Sequence, residues 1–346
     1  MTDRTMGLSP EERLLLTASP HLKSPDSTPK IMWNVVGSLV PIILVAIYYF
    51  GPSAILVMAA SIIGAMSVEY FFGPKTSLMD GSAAITGVLL GLCLPAGFPL
   101  WMAFLGGAFG IGFGKLVFGG LGQNPFNPAL VGRAFLQAAF PTAITTWPST
   151  EMGWGAIRGP NFALPLLTGE PGADVVTAAT PLGLWKFEGE VSELFGLMIG
   201  NTGGSLGETA GILILICGGY LAFRKYLNWR IPAGIFATVF VFSEILYLIN
   251  GEAFPPPFFM IFSGGLMLGA MYMATDMVTS PVTNLGSWIF AVGIGIVVVL
   301  IRVWGGLPEG VMYAILFMNA FVPFINRATQ PKVFGQPPKQ AKEAQA

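Results

Sequence analysis

Charge is absent from this chain over stretches that no soluble fold of its size would leave bare. No Asp, Glu, Lys or Arg lies between Lys30 and Glu69, between Asp80 and Lys115, between Glu252 and Asp276, or between Asp276 and Arg302. A helix crosses a bilayer with about 20 apolar residues, so each of the first two gaps holds two crossings. Gly51-Pro52 divides the first gap, and the segment from Pro95 to Pro99 divides the second. The pattern predicts an all-α polytopic membrane protein of about ten transmembrane helices. They fall near 32–50, 54–72, 82–95, 99–118, 127–141, 206–223, 231–249, 257–274, 285–303 and 309–325. The third and fifth are short and bounded by Gly or Pro, which marks them as broken or tilted.

Composition points the same way. Of 346 residues, 53% are hydrophobic and 10% charged, where a soluble domain carries roughly a quarter charged residues. The net charge of -1 leaves no basic surface for nucleic acid. With ten crossings both termini share a side, and that side receives all Lys and Arg except Arg158, Lys186 and Arg302. Positive residues stay in the cytoplasm in short loops, so both termini are expected there. Five regions follow: a cytoplasmic segment 1–30, a first membrane half 31–141, an external segment 142–205, a second membrane half 206–326 and a cytoplasmic tail 327–346. The first 30 residues do not read as a signal peptide, because they contain acids and precede the apolar run. Ser9-Pro10-Glu11-Glu12 has the form of a capping box and predicts a short surface helix through about Leu16.

Nine residues beginning at Pro99 recur at Pro257: Pro, Met, Phe and Gly-Gly hold the same spacing in Pro99–Gly107 and in Pro257–Gly265. Each copy leads to a polar, Pro-containing turn, Asn124-Pro125-Phe126-Asn127-Pro128 and Thr279-Ser280-Pro281-Val282-Thr283-Asn284. A duplication of five crossings places the second half upside down, and such inverted repeats carry ligand and ion sites at their interface. The other reading is that Gly-Gly only lets helices approach closely.

Glu69, Asp80, Lys115, Glu244 and Asp276 fall in or beside apolar runs, where charge is costly. Long side chains near helix ends, Lys115 above all, can reach the interface. Glu244 and Asp276 are candidates to line an ion or flavin path. Two amides and two prolines cannot continue a helix at Asn124–Pro128, so Asn124 and Asn127 are candidate ligand contacts, with Arg133 placed to meet an anionic or carbonyl group. The competing reading is a plain connecting turn. His21 is the only histidine, and Cys93 and Cys217 fall in different helices. No metal site, haem or iron–sulfur cluster is expected, and no residue is assigned as a general acid or base.

Asp174-Val175-Val176-Thr177-Ala178-Ala179-Thr180-Pro181-Leu182 lies in the external segment. Its hydroxyls could cap a turn or accept a covalent group. The stretch resembles Asp-x-x-Ser/Thr-Gly-Ala-Thr, at which a flavin transferase attaches FMN through a phosphoester. With Ser19-Pro20-His21, the Asn124–Ala129 turn and Gly132-Arg133, it makes the chain similar to the NqrB/RnfD family over nearly its whole length. That family supplies membrane subunits to Rnf-type complexes and to the sodium-pumping NADH:quinone reductase. Ala178 departs from the usual Gly.

The resemblance implies a urea-channel-like fold of two inverted five-helix repeats in a bacterial inner membrane. It implies covalent FMN on Thr180, with Asp174 and Thr177 in the motif the transferase reads. It also implies a non-covalent riboflavin, for which Asn124 and Asn127 are the candidates. The partners would be the lipid bilayer, a flavin transferase and the other membrane and peripheral subunits of an Rnf-type complex. The function would be electron transfer between ferredoxin and NAD branches coupled to H⁺ or Na⁺ transport. The alternatives are a non-redox solute channel or transporter of the same fold, and a structural scaffold for partner subunits.

Overall fold

The computed structural model describes residues 26–74, 77–148, 157, 159–165, 179–200, 202–208 and 211–331. The regular structure among them is helical. In the first half lie α1 (Thr28–Phe50), α2 (Pro52–Phe72), α3 (Ser82–Leu92), α4 (Leu100–Gly114) and α5 (Pro128–Ala139). In the second lie α6 (Gly211–Phe223), α7 (Arg230–Ile249), α8 (Pro257–Phe262), α9 (Leu266–Leu268), α10 (Asn284–Trp304) and α11 (Val311–Thr329). Among the described residues, six helices are long and apolar enough to cross a membrane: α1, α2, α7, α10, α11 and the stretch Leu100–Phe118 that begins with α4. Ser82–Leu92 and Gly211–Phe223 are shorter apolar helices. The chain is thus a multi-pass membrane protein. Leu44, Tyr48, Ile63, Phe72, Phe223, Leu248 and Phe324 are exposed on its flanks, as lipid-facing residues are.

Local chemistry sets the boundaries. Gly51 takes φ +68° between α1 and α2, a conformation that suits glycine, and Pro52 opens the next helix. Asp80 accepts hydrogen bonds from the backbone N–H (2.7 Å) and hydroxyl (2.5 Å) of Ser82 at the start of α3. The Thr283 hydroxyl oxygen accepts from the Gly286 N–H (3.0 Å) to cap α10. The Ser9–Leu16 helix expected from the sequence lies outside the described residues.

The eighth expected helix is not continuous. It breaks at Ser263-Gly264-Gly265, where Gly264 has φ +64°, and resumes as α9 and the π-helical turn Gly269–Met273. The first copy of the recurring nonapeptide instead runs unbroken into α4. A Cβ on Gly107 would collide with the Ser61 carbonyl of α2, and one on Gly64 with that of Phe104. The glycines of that copy serve close packing. The two copies also fall on the fourth and eighth expected helices, whereas five-helix halves require an offset of five, so this nonapeptide is not their signature.

Helix pairing does recur. α2 packs on α3 and α4, α4 on α5, and α1 on α3. In the second half α7 packs on α8 and α10, α10 on α11, and α6 on α9. The halves meet through α1 with α6 and α5 with α11. Backbone bonds join them as well: Leu206 N–H donates to the Leu94 carbonyl (3.1 Å) and Gly207 N–H to that of Leu92 (2.6 Å).

Replacing Gly107 by Ala is expected to force α2 and α4 apart and lower the detergent-solubilised protein's melting temperature by the equivalent of about 1–3 kcal/mol, as overpacking does. Gly219 on α6 has open space where a Cβ would sit, so Gly219→Ala should leave the melting temperature unchanged or slightly raised. Thermal unfolding followed by intrinsic fluorescence compares the two.

Candidate functional site

α5 connects two cavities. At its N-terminal end a small cavity of about 90 Å³ is lined by Lys115, Asn124, Asn127, Tyr272 and Asp276, among others. Asn127 caps α5 itself: its Oδ1 accepts from Ala129 N–H (3.0 Å) and Leu130 N–H (3.3 Å), and its Nδ2 donates to the Met273 carbonyl (3.2 Å). Asn124 Nδ2 donates to the Phe126 carbonyl (3.2 Å), while its buried Oδ1 has no partner among the described residues. Asn319 of α11 ties the two proline turns together. Its amide oxygen accepts from Asn127 N–H (3.2 Å) and its nitrogen donates to the Thr279 carbonyl (3.2 Å). Asp276 accepts from Val278 N–H and the Thr279 hydroxyl, each at 3.2 Å. The cavity has room for a few waters and is well below the roughly 300 Å³ at which ligand pockets begin. It does not fit riboflavin as it stands.

A wider cleft of about 680 Å³ lies at the other end of α5. Thr180 stands at its wall, with Trp147, Phe187 and Tyr313 offering aromatic surface and Arg133 and Glu309 lying deeper. The Thr180 side-chain oxygen accepts from Gly183 N–H (3.1 Å) and caps the short helix Pro181–Gly183. The residue is buried, yet its neighbour Ala179 is exposed. The turn-capping reading is therefore realised, at a position that also faces a ligand-sized space. Asp174 and Thr177 lie outside the described residues.

Lys186, six residues beyond Thr180, lies beside the cleft-lining residues Phe187 and Glu188. Its ammonium donates to the carbonyls of Arg302 (2.8 Å), Gly305 (2.5 Å), Leu307 (3.0 Å) and Ile301 (3.4 Å) at the end of α10. Partial burial pulls its pKa below the ordinary lysine value, and the carbonyl oxygens oppose that by favouring the charged form.

Below the cleft, segments from both halves converge on a polar cluster. Arg133 of α5 meets Glu309, Nη2 to Oε2, at 2.6 Å. Glu309 Oε1 accepts from Gly265 N–H (3.0 Å) at the break between α8 and α9. Glu208 lies near by, since a Cβ on Gly265 would sit 4.0 Å from its Oε1 and 4.0 Å from that of Glu309, and its Oε1 accepts from the Ser205 hydroxyl (2.8 Å). Arg302, fully buried, donates to the Met260 carbonyl and to that of Ser263 (2.9 Å). Sequence reasoning placed Arg133 opposite an anion or carbonyl, and it finds a carboxylate. It missed Glu208, Glu309 and Arg302, which sit near helix ends without a motif. Their one visible signal was charge adjoining apolar runs.

Lys115 does not reach out to the interface. It is buried, donating to Glu69 (2.8 Å) and to the Ser82 hydroxyl (2.7 Å). Glu69 also accepts from the Ser77 hydroxyl. Because α2 packs tightly on α3 and α4, the side chain has a buried carboxylate within reach. Glu244 is half-buried on α7 and belongs to neither cavity. Cys93 and Cys217 are buried free thiols. No cluster of metal-ligating side chains occurs among the described residues.

The model of the family described as "NQR2, RnfD, RnfE family" matches residues 15–335. The chain belongs to that family. It is 40% identical over 334 residues to the D subunit of the proton-translocating ferredoxin:NAD(+) oxidoreductase complex of Clostridium ljungdahlii, covering 92% of this chain and 96% of that one. It is 38% identical over 344 residues to the D subunit of the Na(+)-translocating ferredoxin:NAD(+) oxidoreductase complex of Acetobacterium woodii, with 97% and 99% covered. The D subunit of the ion-translocating oxidoreductase complex of Stutzerimonas stutzeri is 38% identical over 332 residues, with 90% and 93% covered. These NQR2/RnfD/RnfE relatives carry two different ions in their names, at near-equal identity.

The Lys115–Glu69 pair yields a direct expectation. Lys115→Met leaves Glu69 buried and unpaired, which should cost about 3–5 kcal/mol. The double replacement Lys115→Met with Glu69→Leu should recover most of it. Melting temperatures of the two variants check this.

Proposed function

We propose that the chain is the D-type membrane subunit of an Rnf-type ion-translocating oxidoreductase. It carries FMN as a phosphoester on Thr180 and passes electrons between ferredoxin and NAD branches in coupling with H⁺ or Na⁺ movement. The observation that carries this reading is the near-full-length match, at 38–40% identity, to the D subunits of complexes named for that activity. It is an enzyme subunit, acting within the complex. Its partners are the other membrane and peripheral subunits and the flavin transferase that modifies it.

Recurrent helix pairing supports an architecture of two five-helix halves, with α8 and α9 together forming one broken crossing. An odd number of crossings per half inverts the second. The Lys/Arg distribution supports cytoplasmic termini in a bacterial inner membrane, which puts the 142–205 segment and Thr180 outside.

The flavin reading rests on the resemblance of residues 174–180 to the transferase motif and on the place of Thr180 beside a cleft of ligand size. Bound there, a flavin would accept electrons singly or in pairs, which joins carriers of different electron number. Thr180 would hold it by its oxygen, as an anchor and not a catalyst. Trp147, Phe187 and Tyr313 offer apolar and aromatic surface for a planar ring system. Lys186, by fastening the end of α10, fixes the wall formed by residues 306–309.

Denaturing gels under ultraviolet light test the anchor. The wild-type chain, expressed with its transferase, should fluoresce, and Thr180→Ala should abolish the band. The peptide containing Thr180 should carry the mass of FMN less water. A dark wild-type band, or one unchanged in Thr180→Ala, refutes the flavin assignment.

A further inference from the structure

Among the described residues that line the Thr180 cleft, Arg133 is the single Lys or Arg. A guanidinium carries five N–H donors. Arg133 is buried, engages Nη2 with Glu309 (2.6 Å) and leaves Nε without a partner. Cys93, a buried thiol and its electrostatic neighbour, is only a weak acceptor. Burying donors unpaired is costly. Arg302, whose Nε is also unpaired, puts both Nη groups on the Met260 and Ser263 carbonyls and does not line the cleft. Arg133 spends far less of its capacity on the protein, at a place where a ligand-sized space adjoins it.

Gln137 stands one turn further along α5, on the same face, and lines the cleft as well. It is half-buried, and its amide makes no hydrogen bond among the described residues. The hydroxyls of Thr145 and Thr146, by contrast, turn back onto the Pro141 and Thr142 carbonyls at 2.7 Å each. Donors alone on Arg133, with a donor and an acceptor together on Gln137, complement an edge that alternates acceptor, donor, acceptor. The pyrimidine edge of an isoalloxazine has that order: carbonyl oxygen, ring N–H, carbonyl oxygen. From this pairing we infer that Arg133 and Gln137 are flavin-positioning residues, which hold the pyrimidine edge of the FMN ring anchored by Thr180.

The inference rests on the reading that Thr180 carries FMN, and adds to it the direction of the ring. Its polar edge faces α5 and the seam between the halves, while the phosphate stays at the wall formed by Thr180. Glu309, itself held by the Gly265 N–H, fixes the guanidinium from behind. Hydrogen bonds from a charged donor strengthen as the acceptor gains negative charge, so Arg133 favours the reduced ring and raises its potential.

Reduced-minus-oxidised infrared difference spectra of the purified complex test this. Subtracting the spectrum of the Thr180→Ala complex isolates the Thr180-bound ring, and flavin isotopically labelled at its two ring carbonyls identifies the bands. In the wild type at least one oxidised-ring carbonyl band should lie below its position for FMN in water, because a guanidinium is the stronger donor. Gln137→Leu should move a carbonyl band upward. So should the charge-neutral double replacement Arg133→Met with Glu309→Gln, which should also lower the midpoint potential. Thr145→Val, in the same cleft, should leave the bands in place.

Gel fluorescence is read alongside. A fluorescent wild type whose carbonyl bands lie at or above the aqueous positions overturns the contact and leaves the anchor standing. Bands unmoved in either replacement, or moved equally by Thr145→Val, overturn the pair. An unchanged potential in the double replacement overturns the electrostatic role of Arg133. A dark wild type refutes the anchor and this inference with it. Where a variant does not assemble or take up flavin, the wild-type band positions decide.

Discussion

In hydrocarbon a peptide carbonyl released from a helix has no water to turn to, and this requirement organises the interior of the protein. The chain interrupts its helices and then supplies partners from elsewhere. Arg302 takes the carbonyls of Met260 and Ser263 at the break after α8, and Asn127 takes that of Met273 at the end of the π-helical turn. Lys186 gathers four carbonyls at the end of α10. Asn161, from the segment after α5, donates to Ala96 and Phe98 at 3.0 Å each. Several of the buried polar side chains outside regular capping positions answer this demand. They make irregular backbone possible at membrane depth, and irregular backbone is where the cavities lie.

The same demand explains which charges the fold tolerates. Lys115 and Glu69 neutralise each other inside the first half, and Arg133 and Glu309 do so between the halves. The first pair has its serine partners close by and reads as a fixed fastening. The second opens on a cleft.

Much of the fold was legible because charge gaps and Gly-Pro pairs report on hydrocarbon thickness directly. The ends of α1, α2, α7 and α10 fall within a few residues of the positions read from those gaps. Single-residue geometry was not legible. Gly106-Gly107 and Gly264-Gly265 look alike in sequence, yet one pair packs two helices and the other breaks one, because only the second has Arg302 and Glu309 to receive its freed groups. Lys115 looked like an interfacial residue because nothing local announces that Glu69, 46 positions back in the chain, lies beside it. At the site, Asn127 was found by its turn but serves as a cap. Asn319, an amide in an apolar helix with no motif around it, is the residue that ties the two turns together.

The backbone bonds from Leu206 and Gly207 to the carbonyls of Leu94 and Leu92 bear on how such a chain is made. α3 ends with acceptors whose partners belong to a segment translated only after the whole external region. Until that segment arrives, the nascent first half carries an open seam in the membrane, and it must be shielded by lipid headgroups, water or the insertion machinery. The two halves are therefore less a pair of independent bundles than a single closure, completed when the second half begins.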